Sequence, residues 1–408
     1  MSILDTLNNL YETRTDEVEK WLNKIRLESP PLFYTSVDLR HSGLRLAPVD
    51  TNIFPAGFNN LSPAAQARAS NCIKRYFEEN YRGAERVIII PENHTRNLAY
   101  FDNLAMLLSL FNNAGLQAKI GSLTAQANET LNFTSGHGVE IRQYPIVSNN
   151  NKLSLEDGFT ADVILLNNDL TSGLPDILKN LSQPIIPSPD MGWFQRRKST
   201  HFNEYKNLIE DFCKEFSLDP WLLNARSHHC GMVDFHDKTS LECLAESIDD
   251  ILAFTREKYH EYNVKQEVYV YVKADSGTYG MGITSVKSGS EIIDMNKKTR
   301  NKMQVIKEGV HVSEVIIQEG IPTIDAVGNA PAEPLLYLID GVPIGGMYRV
   351  NDQRDNLGNL NAAGMRFTGM CDEAEDECGI WKKMENCNFR AYGIISSIAA
   401  LAAGREKY

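Results

Sequence analysis

No apolar run in this 408-residue chain approaches the roughly 20 residues that a membrane-spanning helix needs, so a membrane-embedded role is not expected. The opening stretch MSILDTLNNLYETRTDEVEKW mixes acids with apolar residues at helical spacing, unlike a secretory leader. Basic residues are in deficit. With 41 Lys and Arg against 53 Asp and Glu, the formal net charge is −12, which argues against nucleic acid or an anionic membrane as partner, because neutralising phosphates requires excess cations. Small-molecule partners fit better, and an oligomer is compatible with this composition. The seven cysteines (72, 213, 230, 243, 371, 378 and 387) are odd in number and include no CxxC pair, so neither a disulfide framework nor a zinc ribbon is indicated. They read as reduced thiols of a cytoplasmic protein, which leaves the N-x-S/T matches at Asn93 and Asn132 without glycosylation meaning. Internal repeats and low-complexity segments are also lacking.

The 42% hydrophobic content is enough for two or three cores. In the first half, strand and helix alternate. RVIII at 86–90 is a buried-strand run, Leu98, Phe101, Ala105 and Leu108 follow at helical spacing, and AKIGSL after Gly115 reads as a return strand. ADVILL at 161–166, a helix over 174–181 and PIIPS repeat the pattern, which predicts a small parallel sheet with helices on its faces. Two amphipathic helices occupy 202–216 and 239–259. Strand-like runs then crowd together at 267–273, 314–318, 334–340 and 343–350, with one helix beginning at Asn296 between the first two and a last helix, FRAYGIISSIAALAAGRE, closing the chain. The fold class is α/β, turning α+β in the C-terminal half, with a division expected near residue 200.

The segment EVYVYVKADSGTYGMGI at 267–283 ends a strand in Lys273 and opens into glycines at 277, 280 and 282. A Walker loop needs GK followed by Ser or Thr, and here the lysine precedes the glycines. A dinucleotide fingerprint needs GxGxxG opening a helix; the spacing is GxxGxG and a second strand follows. The segment is thus a strand-to-strand flap. Such a flap can lay backbone N–H groups over phosphates with a lysine beside them, and it can equally be a glycine-rich hairpin with a solvated lysine. Downstream, VIIQEGI ends a strand in Gln318 and Glu319, EPLLYLIDGVPIGGMYRVN is a hairpin turning at Asp340-Gly341 that delivers Arg349, and RDNLGNLNAAGMRF sets Arg354, Asn359, Asn361 and Arg366 in a glycine-punctuated loop.

That order of segments resembles the nucleotide-binding half of the ATP-grasp superfamily, and is most similar to bacterial glutathione synthetase. In the first half, SVDLRHSGLRLAPVDTNIFPAGFNNL and IPENHTRNLAYFDNL resemble the proteobacterial glutamate–cysteine ligase family, and the resemblance spans nearly the whole chain. It implies an N-terminal parallel-sheet βαβ domain for substrate (1–200) and a two-lobed ATP-grasp-like domain (201–408), made of a helical linker (201–260), a flap lobe (261–320) and a C-terminal lobe (321–408). The implied reaction joins the γ-carboxylate of L-glutamate to the amine of L-cysteine through an acyl phosphate, with ATP and Mg²⁺ as cofactors. The nucleotide half alone also suits another carboxylate–amine ligase, or a non-catalytic nucleotide-binding protein.

Carried over residue by residue, the resemblance implies that Lys273 contacts the phosphates, that Gly277, Thr278, Gly280 and Gly282 form the flap, and that Gln318 and Glu319 hold adenine and ribose. Arg349 would stabilise the acyl phosphate or the tetrahedral oxyanion, and Arg366 joins it as a catalytic cation. The acidic residue and E-x-N of ATP-grasp enzymes has no clear match after residue 367. Glu333, Asn359 and Asn361 are the substitute metal ligands, with DEAEDE at 372–377 in reserve, although such an acidic run also reads as a solvated loop. For glutamate, Arg40 and Arg45 suit carboxylates and Asp50, Asn52, Asn59 and Asn60 the polar groups, in a segment that could also be an irregular loop shaped by Pro48, Pro55 and Gly57. ENHTRN adds Arg96 at the carboxyl end of a strand, where Asn93 or Thr95 could instead cap a helix. Arg196, Arg197 and Lys198 bind an anion or form a solvated helix entry, and His228, His229, Cys230 and His236 lack zinc-ligand spacing.

Overall fold

The β-branched and apolar runs become strands and the periodic stretches become helices. The structure, a computed structural model, describes residues 2–93, 96–277, 282–304, 312–370 and 388–406. Helix α1 (Ile3–Glu28) leads into β1 (Tyr34–His41) and β2 (Leu46–Asn52), followed by α2 (Pro63–Asn80), β3 (Arg86–Pro91), α3 (Leu98–Asn113) and β4 (Gln117–Ser122). Strands β5 (Leu131–Thr134), β6 (Glu140–Asn149), β7 (Lys152–Leu155), β8 (Val163–Asn167) and β9 (Ile185–Ile186) complete the first half. Then come α4 (Lys198–Phe216), β10 (Ser227–Cys230), α5 (Lys238–Glu261), β11 (Val270–Ala274), β12 (Ile283–Val286), α6 (Gly289–Ile293) and α7 (Lys297–Gln304). The chain continues through β13 (Val315–Glu319), β14 (Ala326–Val327), β15 (Ala330–Ile339), β16 (Val342–Val350), β17 (Arg366–Gly369) and α8 (Phe389–Arg405).

Three sheets result. In the first, β3 pairs in parallel with β4 and β8, β4 with β6, and β8 with β9, which is the parallel sheet the sequence predicts. The helix expected over 174–181 is absent. Gly173 and Asn180 have positive φ and Pro175 precedes the turn, so only a 3₁₀ turn at Asp176–Leu178 forms there. The second sheet is small and antiparallel, ordered β10-β13-β11-β12, with α5 packed on it. The third runs β17-β16-β15-β1-β2 with β14 beside β15, so residues 34–52 and residues 330–369 share one sheet across the division placed near residue 200. Its β15–β16 hairpin turns at Asp340 and Gly341, both at positive φ, as a two-residue turn requires.

The two faces of this third sheet are fixed by alternation. Val37, Leu39, Leu336 and Leu338 point to one side, where α1, α4 and α8 bury them. Helix α8 is apolar on nearly every side and buried to match, as a central helix must be. The opposite side is apolar at one end, where Leu335, Tyr337 and Met347 meet α2 and α3. At its other end the same side carries Asp38, Arg40, Glu333 and Arg349, and there the small sheet faces it across a cleft. A buried sheet face that changes from apolar to charged is costly unless the charges are paired or used.

Candidate active site

The cleft has about 1050 Å³ of empty space, counting what is open to solvent, which is the size of a small-molecule site. Its floor is the charged end of the third sheet. In register, Asp38 lies opposite Asp50 and Glu333 opposite Arg349. Arg349 Nη1 donates to Glu333 Oε1 at 2.6 Å and to Asp38 Oδ2 at 3.0 Å, and Arg40 Nε reaches Glu333 Oε2 at 2.7 Å. Burial opposes ionisation of Glu333, but Arg40 and Arg349 outweigh it and hold its carboxyl below the usual range. Asp38 is the reverse case. Burial, with help from the nearby Glu333 and Asp50, pushes its carboxyl up despite Arg349, and its Oδ1 is buried with no hydrogen-bond partner among the described residues.

The roof comes from β11 of the small sheet. Lys273 is buried, and its Nζ donates to Gln318 Oε1 at 2.7 Å and to the carbonyl of Val49 at 2.9 Å. Val49 is available because the β1–β2 register slips between Asp38 and Leu39, leaving it as the extra residue of a bulge. Desolvation lowers the Lys273 pKa to about 8. At the wall, Lys198 bonds Asp50, whose pKa is depressed by Lys198 and Lys273 against the effect of burial. Arg196 lies beside it, held by Glu406 through two 2.8 Å hydrogen bonds, with Thr51 O accepting at 2.9 Å. Trp193 closes one side, and Gly277 lies on its indole so tightly that a Cβ there would sit 2.0 Å from Trp193 Cδ2.

The structure therefore brings together Lys273, Gly277, Arg40, Asp50, Asn52, Glu333, Arg349, Asn359 and Asn361 in one lining, with Gln318 bonded to Lys273 from behind it. Gly282 resumes the chain at β12 beside the lining residue Ile283, while Thr278 and Gly280 and the acidic run 372–377 lie outside the described residues. Arg366 is half exposed on the edge strand β17, 3.7 Å from Asp352. Asn59 and Asn60 belong to a 3₁₀ turn after Gly57, away from the lining, and Arg96 is exposed. The α3 cap is Asn97, which accepts from Tyr100 N, rather than Asn93, and Thr95 lies outside the described residues. Arg196 and Lys198 are buried and paired rather than solvated, and no group of three His, Cys, Asp or Glu side chains among the described residues could hold a metal.

Arg45 and Glu319 are not in the cleft. Strand alternation turns Glu319 away from Gln318, and its two oxygens accept from Arg45 Nη1 and Nη2, both at 2.8 Å, with Trp221 Nε1 donating at 3.1 Å. Arg45 also stacks over the Trp221 ring at 4.1 Å. A pair this buried acts on folding, so Arg45→Met is expected to lower stability by about 3–5 kcal/mol in denaturant unfolding, with little change in KM for any substrate of the cleft. Sequence reasoning missed Asp38, Trp193, Tyr271 and Asp275, all of which line the cleft. A signal for Asp38 was present: Ser36, Asp38 and Arg40 alternate with Val37 and Leu39, placing three polar side chains on one face of an otherwise buried strand.

Residues 9–407 match the sequence pattern of the family described as GshA, glutamate-cysteine ligase. A solved structure from Methylobacillus flagellatus KT, provisionally named a γ-glutamylcysteine synthetase, is 42% identical, with a TM-score of 0.89 over 99% of this chain and 95% of that one. A glutathione synthetase-like effector from Globodera pallida is 10% identical over 86% of this chain and 81% of that one, with a TM-score of 0.41. No curated protein matches the chain.

Proposed function

The chain belongs to the glutamate–cysteine ligase family, and on that premise we propose that the cleft between the small sheet and the charged sheet end is where its reaction takes place. The enzyme is a ligase that forms γ-glutamylcysteine from small-molecule substrates in an ATP-dependent reaction. The observation that carries the site assignment is the convergence of Lys273 from one side and Arg349, Arg40 and Lys198 from the other on a lining that holds four acids. Strand β11, which carries Lys273 in an antiparallel sheet and runs on to Gly277, supports the ATP-grasp-like reading.

In the first step the γ-carboxylate oxygen of glutamate attacks the terminal phosphorus of ATP, the bond to the β-phosphate oxygen breaks, and ADP leaves with the electron pair. In the second, the cysteine nitrogen attacks the acyl carbon, the C–O bond to phosphate breaks, and phosphate leaves with the electron pair and takes up the proton that the nitrogen loses. Neither step needs a protein nucleophile; both need charge stabilisation and alignment. Lys273 faces the polyphosphate. Arg349, which bonds Asp38 and Glu333 through Nη1 alone, meets the phosphoryl and acyl oxygens with the other donors of its fork. Arg40 and Arg196, both in the lining and both already bonded within the protein, would add positive charge for the carboxylates of the amino acids.

Mg²⁺ takes oxygen ligands, commonly one or two carboxylates together with substrate phosphates. The lining offers Glu333, Asn359 and Asn361 as such donors, and the unpartnered Asp38 Oδ1 belongs to the same lining, so the donor chemistry fits. Bound there, the ion would neutralise charge on the polyphosphate. No helix among the described residues is long and apolar enough to cross a membrane, and a cytoplasmic setting is consistent with the reaction of the family.

The test is ADP release by the purified protein with Mg-ATP, glutamate and cysteine, omitting each in turn and identifying the product by mass. ADP that forms only with both amino acids, together with γ-glutamylcysteine, is the expected result. Turnover with a different amine or carboxylate would overturn the substrate assignment while leaving the cleft in place.

A further inference from the structure

Asp275 lies at the end of β11, two residues beyond Lys273 and two before Gly277, and its side chain is fully buried. Its partners are on another element. Oδ1 accepts from Ser199 N at 2.7 Å, Oδ2 accepts from Ser199 Oγ at 2.6 Å, and its main-chain carbonyl accepts from Lys198 N at 2.7 Å. From the outer edge of the small sheet, His229 Nε2 comes within 3.4 Å of Oδ2.

The recipient is the first turn of α4. Arg197, the residue at the N-cap position of that helix, makes no side-chain cap, so its orphan N–H groups have no local acceptor. Asp275 supplies the cap from a different sheet, and a carboxylate at a helix N-terminus is favoured both by the hydrogen bond and by the helix dipole. An acid in this place joins two parts of the cleft. On its own strand stands Lys273; on the turn it caps stands Lys198, bonded to Asp50 on the cleft floor, and Arg196 immediately precedes that turn.

We propose that Asp275 is a positioning residue which, by capping α4 from the end of β11, fixes the spacing between Lys273 on one side of the cleft and Lys198 and Arg196 on the other. The inference rests on the reading of the cleft as the ligase site. Without the cap, β11 and the first turn of α4 lose a charged hydrogen-bonded link, and a bound polyphosphate would have to hold the two cations at the right separation itself. The cost falls on binding more than on the chemical step.

The experiment measures kcat and the KM for Mg-ATP and for glutamate in wild type, Asp275→Asn, Asp275→Ala, Lys198→Met and the Asp275→Asn/Lys198→Met double variant. Thermal unfolding of each variant is followed alongside. Asp275→Asn keeps the shape and one acceptor for Ser199 N, so it remains informative if the alanine variant fails to fold. The expected result is a KM for ATP raised about tenfold in Asp275→Asn with kcat within about threefold, and a double variant no worse than the poorer single one, because both act through one link. Wild-type KM values in a folded Asp275→Asn variant, or single effects that multiply in the double variant, would overturn the proposal. An inactive wild type would instead overturn the ligase reading, so the two failures are distinguishable.

Discussion

Arg349→Ala is expected to lower kcat/KM by about 10²–10³, the usual loss when one preorganised donor to a developing oxyanion is removed. The effect should appear in kcat more than in the KM for ATP, since the proposed role of the guanidinium is at the reacting oxygens rather than at the base or ribose. The local consequence is specific. Arg349 pairs with Asp38 and shares Glu333 with Arg40. Its removal leaves Asp38 buried beside two other acids without its compensating cation, so the carboxyl is pushed up further. Arg349→Lys separates charge from geometry: a lysine keeps the charge but lacks the further donors that a guanidinium can turn to substrate while Nη1 stays bonded to Asp38 and Glu333, so it should recover only part of the loss. Steady-state kinetics on folded variants checks both. An Arg349→Ala enzyme with wild-type kcat would remove this residue from the chemistry.

The second large effect concerns Lys273. Burial holds its pKa to about 8, below the ordinary lysine value, because the low-dielectric site disfavours the ammonium. Polyphosphate favours the charged form, so binding raises the pKa again. The sign follows: above pH 8 the free enzyme must take up a proton as ATP binds, and affinity should fall by about tenfold per pH unit until the pKa of the complex is reached. In the absence of nucleotide the same shift has the opposite consequence for folding. The unfolded chain holds this proton more tightly than the native one, so between pH 8 and the ordinary lysine pKa the Lys273 contribution makes stability rise with pH. Titration calorimetry in buffers of different ionisation enthalpy reads the proton uptake directly. Lys273→Met should abolish the uptake and weaken ATP binding by about 10²-fold near neutral pH, as expected for loss of a buried charged contact to phosphate. Proton uptake that persists in the variant would assign the titration to another group.

Much of this was legible in local strings. Lys273 ahead of the glycines, Arg349 after the Asp340-Gly341 turn, and Asp50 with Asn52 in β2 all reach the cleft, because each is carried by a strand whose alternation and turn chemistry are written in its own few residues. The parallel sheet was readable for the same reason. What was not readable depends on distant pairing. Arg45 and Glu319 are 274 residues apart, and nothing local says that an arginine in one loop takes the carboxylate of a strand end elsewhere. Asp275 caps a helix 76 residues away, and Glu406 fixes Arg196 from 210 residues downstream, so neither carries a motif of its own. The helix expected at 174–181 failed for a local reason, since its apolar spacing was outweighed by Gly173, Pro175 and the positive φ of Asn180.

The most direct test of the account is the structure of the protein with Mg²⁺, glutamate and a non-hydrolysable ATP analogue. The account predicts phosphate oxygens within hydrogen-bond reach of Lys273 Nζ, the γ-carboxylate of glutamate facing the terminal phosphate beside Arg349, and the metal among Glu333, Asn359 and Asn361. Nucleotide bound outside the space between β11 and the β15–β16 hairpin, with Lys273 still bonded to Val49 and Gln318, would contradict it.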